Sequence, residues 1–154
     1  MPLIVRQLTP DDIALMEDLL TTFGDAFNEV DTYTRNRPSA GYLRRLLGSD
    51  YFIALTALKC GEVVGGIAAY ELRKFEQERS EIYIYDLAVA APHRREGIAT
   101  ALIEELKRIA VSPGIIIMST SSQEESISTG LAMMTYWPHN TLSAVWLYLI
   151  RTLP

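Results

Sequence analysis

The sequence predicts an α/β (α+β) fold, a sheet covered by helices, and three observations carry that expectation. Residues 51–58 and 62–72 are two apolar runs joined by Lys59-Cys60-Gly61, the pattern of a β-hairpin. Residues 81–90 are rich in Ile, Tyr and Val, as a buried strand should be, and a glycine turn separates them from a helical stretch at 99–110. The 154 residues are one domain's length, enough for a core that needs no disulfide or metal, so the whole chain is expected to be a single domain.

In chain order, residues 3–8 alternate in character and read as the strand that opens the sheet. Thr9-Pro10-Asp11-Asp12 offers a capping hydroxyl, a proline at the first helical position and acids in the first turn. A helix is therefore expected to about Phe23, with Ile13, Leu15, Met16, Leu19 and Leu20 on its apolar side. Residues 24–38 are polar and read as a loop carrying Asp25, Glu29 and Asp31 beside Phe23, Phe27 and Tyr33. Ser39 is placed to cap a second helix that Gly48 ends. Gly65-Gly66 marks a bulge or a close backbone approach, and residues 73–80 form a charged connection. After Pro113-Gly114, residues 115–118 read as a short buried strand and 119–128 as a polar loop or helix start. Residues 131–136 read as a helical segment before Pro138, and 144–150 as a final apolar strand.

Fourteen basic against nineteen acidic residues give a net charge of -5, which argues against a nucleic-acid partner and suits a cationic one. Cys60 is the single cysteine, so a disulfide framework and a cysteine-rich zinc site are excluded; it reads as a small residue near a strand turn. His93 and His139 are not spaced as metal ligands, and no metal is expected. No leader peptide and no apolar run approaching the roughly 20 residues of a bilayer span is visible, so the expectation is a cytoplasmic protein with no membrane partner.

The chain changes character most sharply between Asp86 and Ile103. In the following helix Ile98, Leu102, Leu106 and Ile109 make one apolar stripe, while Glu104 and Arg108 are spaced for an i,i+4 pair on the wet face. Between strand and helix lies Arg94-Arg95-Glu96-Gly97-Ile98-Ala99. A glycine there lets backbone approach a ligand, the first-turn N–H groups lack partners and the helix dipole adds partial positive charge. Such a turn holds a pyrophosphate well, and two arginines strengthen it; a solvated charged turn is the plainer alternative.

Arg94-x-x-Gly97-x-Ala99 after Asp86-Leu87-Ala88-Val89 resembles the acetyl-CoA motif of the GNAT superfamily of N-acetyltransferases. More narrowly, Lys74-Phe75-Glu76-Gln77, residues 80–89, His93-Arg94-Arg95 and residues 97–103 resemble the aminoglycoside 3-N-acetyltransferases, more loosely back to the N-terminus and poorly beyond about Pro113. The resemblance implies a mixed, mostly antiparallel central sheet flanked by helices, with splayed central strands that bind acetyl-CoA. It implies transfer of the acetyl group to the 3-amino group of gentamicin-like antibiotics, and so resistance. Another amine acceptor, such as a polyamine or a protein N-terminus, and a silent CoA-binding domain are the alternatives. Related enzymes are often dimers, and the apolar strand at 144–150 is a candidate homodimer surface.

On that resemblance the main chain of Leu87, Ala88 and Val89 meets the pantetheine and the thioester oxygen, and Arg94, Arg95, Glu96, Gly97, Ile98, Ala99 and Thr100 hold the pyrophosphate. An amine attacking a thioester must be presented neutral, the oxyanion stabilised and the thiolate protonated. Asp86 is the leading acceptor-side residue. In a regular strand it shares a face with Ile82, Ile84 and Ala88, an expensive place for a carboxylate unless it is ion-paired or binds something. Glu81, Tyr83, Glu29 and Asp31 are further candidates for contact with the polycationic acceptor, and Glu76 and Glu78 for negative potential around it. Ala132, Tyr136 and Asn140 keep the spacing of the family's Ala-x-x-x-Tyr-x-x-x-Gly, with asparagine for glycine, which makes Tyr136 the candidate acid for the thiolate.

Overall fold

Five strands pair in the order β1-β2-β3-β4-β5 in a computed structural model that describes residues 2–110 and 116–119. They are β1 (Ile4–Gln7), β2 (Phe52–Lys59), β3 (Glu62–Arg73), β4 (Ser80–Val89) and β5 (Ile116–Ser119). The first four pair antiparallel and β5 runs parallel to β4, a mixed, mostly antiparallel sheet as expected. The helices are α1 (Ile13–Phe27), α2 (Ala40–Leu47) and α3 (Ile98–Ile109). The described residues belong to one compact unit, 1–120. The expected elements at 131–136 and 144–150, with Ala132, Tyr136, His139 and Asn140, lie outside them.

Local chemistry explains most of the boundaries. The β2–β3 hairpin closes with Cys60 at φ 53 and Gly61 at φ 83, two left-handed residues that match the twist of the strands they join. Ser39 caps α2 by accepting the Tyr42 N–H at 3.2 Å, and Gly48 follows its last residue.

α1 departs from expectation at both ends. Pro10 and Asp11 form a turn closed by the Asp12 N–H on the Thr9 carbonyl at 3.0 Å, and the helix begins only at Ile13. Thr9 does not cap it. Instead the Thr9 N–H and hydroxyl both donate to the Asp12 carboxylate at 2.8 Å, a charged acceptor that also pairs with Arg6. At the other end the helix passes through Gly24 to Phe27 and is capped by left-handed Asn28, so the expected loop at 24–38 is partly helical. A mid-helix glycine costs about 1 kcal/mol. Here a Cβ on Gly24 would sit 3.2 Å from the Tyr33 Cβ, so its absence lets the next turn fold back and place Tyr33 against Phe23 and Phe27, with ring centroids 6.0 and 5.9 Å away. That turn, Asp31–Arg35, is π-helical.

Gly65 and Gly66 show how the layers stack. A Cβ on Gly66 would overlap Leu19 of α1, and one on its neighbour Gly65 would meet Ile98 of α3 at 3.4 Å and the Ala88 carbonyl at 2.8 Å. Consecutive strand residues point to opposite faces, so α1 and α3 cover opposite sides of the sheet. The register shifts between Ala57 and Leu58, opposite these glycines, so they mark both a bulge and a close approach. On the α1 side Leu8, Met16, Leu19, Phe23, Leu43, Leu47, Phe52, Ala54, Ala68 and Ala88 form one cluster. On α3 the buried residues are Ile98, Leu102, Ile103 and Leu106, with Ile103 replacing Ile109 in the expected stripe. Its surface pairs run Lys107 to Glu104 and Arg108 to Glu105, i,i+3 in both cases, so the expected Glu104–Arg108 pair does not form. The nearer carboxylate on Glu105 receives a two-pronged contact at 2.8 and 2.9 Å.

Candidate active site

A bulge in β4 decides where the leading carboxylate points. Ala69 stands opposite Ile84 while its neighbour Ala68 stands opposite Asp86, leaving Tyr85 as the extra residue. Residues directly opposite across antiparallel strands share a face. Asp86 therefore lies on the face of Ala68 and Ala88, the α1 side, and Ile82 and Ile84 lie on the other. The expectation that Asp86 shares a face with Ile82 and Ile84 is overturned, because it assumed unbroken alternation and the bulge resets it by one residue.

On that face Asp86 is half-buried and its Oδ2 accepts the Tyr33 hydroxyl at 3.0 Å. Burial raises its pKa above the ordinary value; the Tyr33 hydrogen bond opposes the shift, and the Glu29 carboxylate adds to it. The Tyr33 phenol is pushed up strongly by burial and by the negative charge of Asp86, so Tyr33 remains a donor at every working pH. No lysine or arginine among the described residues pairs with Asp86, which makes it unlike the other part-buried acid of this strand. Glu81 is held by Arg79 at 3.1 Å and Lys74 at 3.7 Å, and Lys74 also reaches Glu76 at 3.3 Å. Its charge is spent within the chain. Asp31 is exposed and paired with Arg35 at 3.2 Å. Of the proposed acceptor-side acids, the structure brings Asp86 and Glu29 together electrostatically.

Aromatic rings crowd the same face. Tyr83 stands opposite Tyr70 across the strands, and the Tyr85 ring meets Tyr70 edge-on at 6.0 Å. Sequence reasoning passed over Tyr70 and treated Tyr33 only as a neighbour of acids. The fold-back through Gly24 that delivers Tyr33 has no signature of its own in the local pattern.

Beyond Asp86, one edge of β4 has no strand partner among the described residues. The Ala90 N–H donates to the Val64 carbonyl of β3 at 2.9 Å. Successive N–H groups of an extended strand point to alternate sides, so those of Val89 and Leu87 point away from β3. On that edge the described pairing with β5 spans Glu81 to Ile84. The Ala88 side chain is buried in the α1-side core.

The turn into α3 is open. Arg95 at φ 65 and Gly97 at φ 79 are both left-handed, nothing lies within 4 Å of a Cβ built on Gly97, and α3 has no side-chain cap. The first intrahelical bond is from Ala101 to the Gly97 carbonyl at 3.0 Å, leaving the N–H groups of Ile98, Ala99 and Thr100 facing out of the helix end. An anion fits that arrangement. Ile98 contributes only backbone, its side chain being core. The Glu96 carboxylate pairs with Lys59, which lowers its pKa and ties the turn to the hairpin. His93 is partly exposed, with Nδ1 3.5 Å from Glu96. Arg94 lines a cleft of about 300 Å³ with Thr22, Asp25, Val63, Ala91 and Pro92. Among the described residues no three His, Cys, Asp or Glu side chains are grouped to hold a metal, and no helix is long and apolar enough to cross a membrane.

Comparison with known proteins bears on this geometry. The model of the acetyltransferase (GNAT) family matches residues 14–130. A crystal structure of an aminoglycoside acetyltransferase from an uncultured soil metagenomic sample is 54% identical, with a TM-score of 0.78, and the match covers 93% of this chain and 100% of that one. A second aminoglycoside acetyltransferase from an uncultured soil sample, in complex with sisomicin, is 23% identical over 93% of this chain and 97% of its own, with a TM-score of 0.74. An aminoglycoside N-acetyltransferase in complex with CoA is 15% identical over 96% and 95%, with a TM-score of 0.64. The last two share the fold. Among curated proteins none matches.

Proposed function

Since the chain belongs to the acetyltransferase (GNAT) family, we propose that it acetylates an amine of an aminoglycoside antibiotic, at the 3-amino group of gentamicin-like compounds. Acetylation would remove a positive charge and a donor from the drug, and so confer resistance. Acetyl-CoA is the cosubstrate and supplies the activated acetyl group. The observation that carries the acceptor assignment is Asp86, a half-buried carboxylate bonded to Tyr33 on the face that also carries Tyr70 and Tyr83, which no cation of the described residues neutralises. The relative at 54% identity, itself an aminoglycoside acetyltransferase, supports the same substrate class.

In this reading Asp86 binds the ammonium form of the acceptor and takes its proton, since an amine attacks only when neutral. The pKa raised by burial suits a proton acceptor better than an ordinary aspartate does. Tyr33 orients the carboxylate, leaving Oδ1 for the amine. The Leu87 and Val89 N–H groups would hold the pantetheine and stabilise negative charge on the thioester oxygen, and the first turn of α3 with Arg94 would hold the pyrophosphate. Glu29 adds negative potential for a polycation, and Tyr83, opposite Tyr70 on the same face, would flank the acceptor. Tyr136, beyond the described residues, is the proposed acid for the departing thiolate.

The test is thiol release from acetyl-CoA with gentamicin, followed by NMR assignment of the acetylated nitrogen. Turnover with the acetyl group on N3 is expected. Acetylation at another position would leave the substrate class and overturn the regiochemistry, and activity with polyamines in place of aminoglycosides would overturn both.

A further inference from the structure

The bulge that turns Asp86 inward also pushes Tyr85 out, leaving a large aromatic side chain 64% exposed. It does not stand alone. Tyr42 and Tyr51 are also each 50% exposed, and Tyr70, its ring packed 5.1 Å from Phe52, meets Tyr85 edge-on at 6.0 Å. Burial raises the Tyr70 pKa, and the charges of Tyr42, Tyr85, Tyr51 and Asp86 add to the shift. So α2, the start of β2, β3 and the β4 bulge converge on one tyrosine patch beside the acid. A bulge that exposes an aromatic ring has an energetic cost, and exposed aromatic patches mark binding surfaces.

Rings with polar edges and negative faces attract two features that a polyamino sugar combines: flat C–H faces that lie against an aromatic ring, and ammonium groups drawn to its π face. Asp86 and Glu29 supply charge complementarity to such a ligand at one border of the patch. We propose that Tyr85, with Tyr70, Tyr42 and Tyr51, forms a stacking subsite for a second sugar ring of the acceptor, one ring removed from the amine held at Asp86. This rests on the aminoglycoside reading above. The subsite sets acceptor affinity and selects multi-ring acceptors; it takes no part in the chemical step.

The experiment is calorimetric titration of gentamicin, and separately of 2-deoxystreptamine, into the CoA-loaded protein, with Tyr85→Ala and Tyr85→Phe beside wild type. Loss of one stacking ring at an exposed site corresponds to a roughly fivefold to tenfold weaker gentamicin Kd for Tyr85→Ala. Tyr85→Phe, which keeps the ring, should bind within about twofold of wild type, and the 2-deoxystreptamine Kd should move less than about twofold in either variant. Equal weakening of both ligands by Tyr85→Ala, no weakening of gentamicin, or equal damage from Phe and Ala would overturn the subsite. So would a wild-type dimer in sedimentation that Tyr85→Ala dissociates, because the patch would then be covered by a second copy. Gentamicin binding that follows the expected pattern without turnover would overturn the catalytic reading and leave the subsite standing.

Discussion

The two ends of the site are assembled in different ways. At the turn into α3, everything that would meet a phosphate comes from consecutive residues: two left-handed backbones at Arg95 and Gly97, open N–H groups at Ile98 to Thr100 and the Arg94 side chain. At the acceptor end, Asp86 comes from a bulged strand, its hydrogen-bond partner Tyr33 from 53 residues earlier, and the aromatic wall from α2, β2, β3 and β4. The first end is made mostly of backbone, with the Arg94 side chain beside it. The second is made of side chains and of the tertiary contacts that aim them. On the proposed function, the cosubstrate would meet mainly local backbone geometry, and the acceptor would meet side chains that can be exchanged one at a time.

The most severe way to break the acceptor end is Asp86→Asn, which keeps an acceptor for Tyr33 but removes the charge and the base. A fall in kcat/KM for the acceptor by about 10² to 10⁴ is expected, with the acetyl-CoA KM unchanged. The variant should also melt higher than wild type at neutral pH. Asp86 has a folded-state pKa raised by burial, so its contribution to stability is full below the unfolded value and lost as pH rises through the folded one. A lower melting temperature at neutral pH would show that Asp86 is structural.

Gly97→Ala probes the backbone end. No neighbour lies within 4 Å to clash with the new methyl, but φ 79 is strained for any residue with a Cβ. Relaxing that strain misaligns the N–H groups of the helix start. The expected result is an acetyl-CoA KM raised about tenfold, the acceptor KM unmoved and a stability loss of about 1 kcal/mol. An equal rise in both KM values would sink the division between the two ends.

That division also explains what could be read from the sequence. The turn, the hairpin and the α2 cap are each encoded within a few adjacent residues, and Arg94, Gly97, Cys60-Gly61 and Ser39 stand where local chemistry puts them. The start of α1 is not legible from Thr9 alone, because its N–H and hydroxyl both donate to the Asp12 carboxylate, which Arg6 of the preceding strand also holds. Its extension through Gly24 depends on a ring that returns ten residues of chain later to pack on Phe23. The face of Asp86 is hidden for the same kind of reason: a bulge is defined by what stands opposite on β3, and no residue of β4 alone announces it. Glu81 looked available because its partners Lys74 and Arg79 belong to a connection whose path the sequence leaves open.

The smallest of these effects, and the most discriminating, is expected from Tyr33→Phe. The ring keeps its place against Phe23 and Phe27, and only the hydroxyl on Asp86 is lost. That hydrogen bond favours the charged carboxylate, against burial and Glu29, so removing it lets the Asp86 pKa rise further. The acid limb of the kcat/KM profile should then move to higher pH, with the plateau reduced several-fold as the carboxylate loses its fixed orientation. Stability should fall by about 1 kcal/mol at neutral pH, where Asp86 is charged and misses its donor, and by less below the ordinary aspartate range, where it is neutral in both proteins. A purely structural hydroxyl would give the stability loss without moving the limb. Tyr33 would then be packing for the acceptor cleft, and the hold on Asp86 would pass to the bulge at Tyr85.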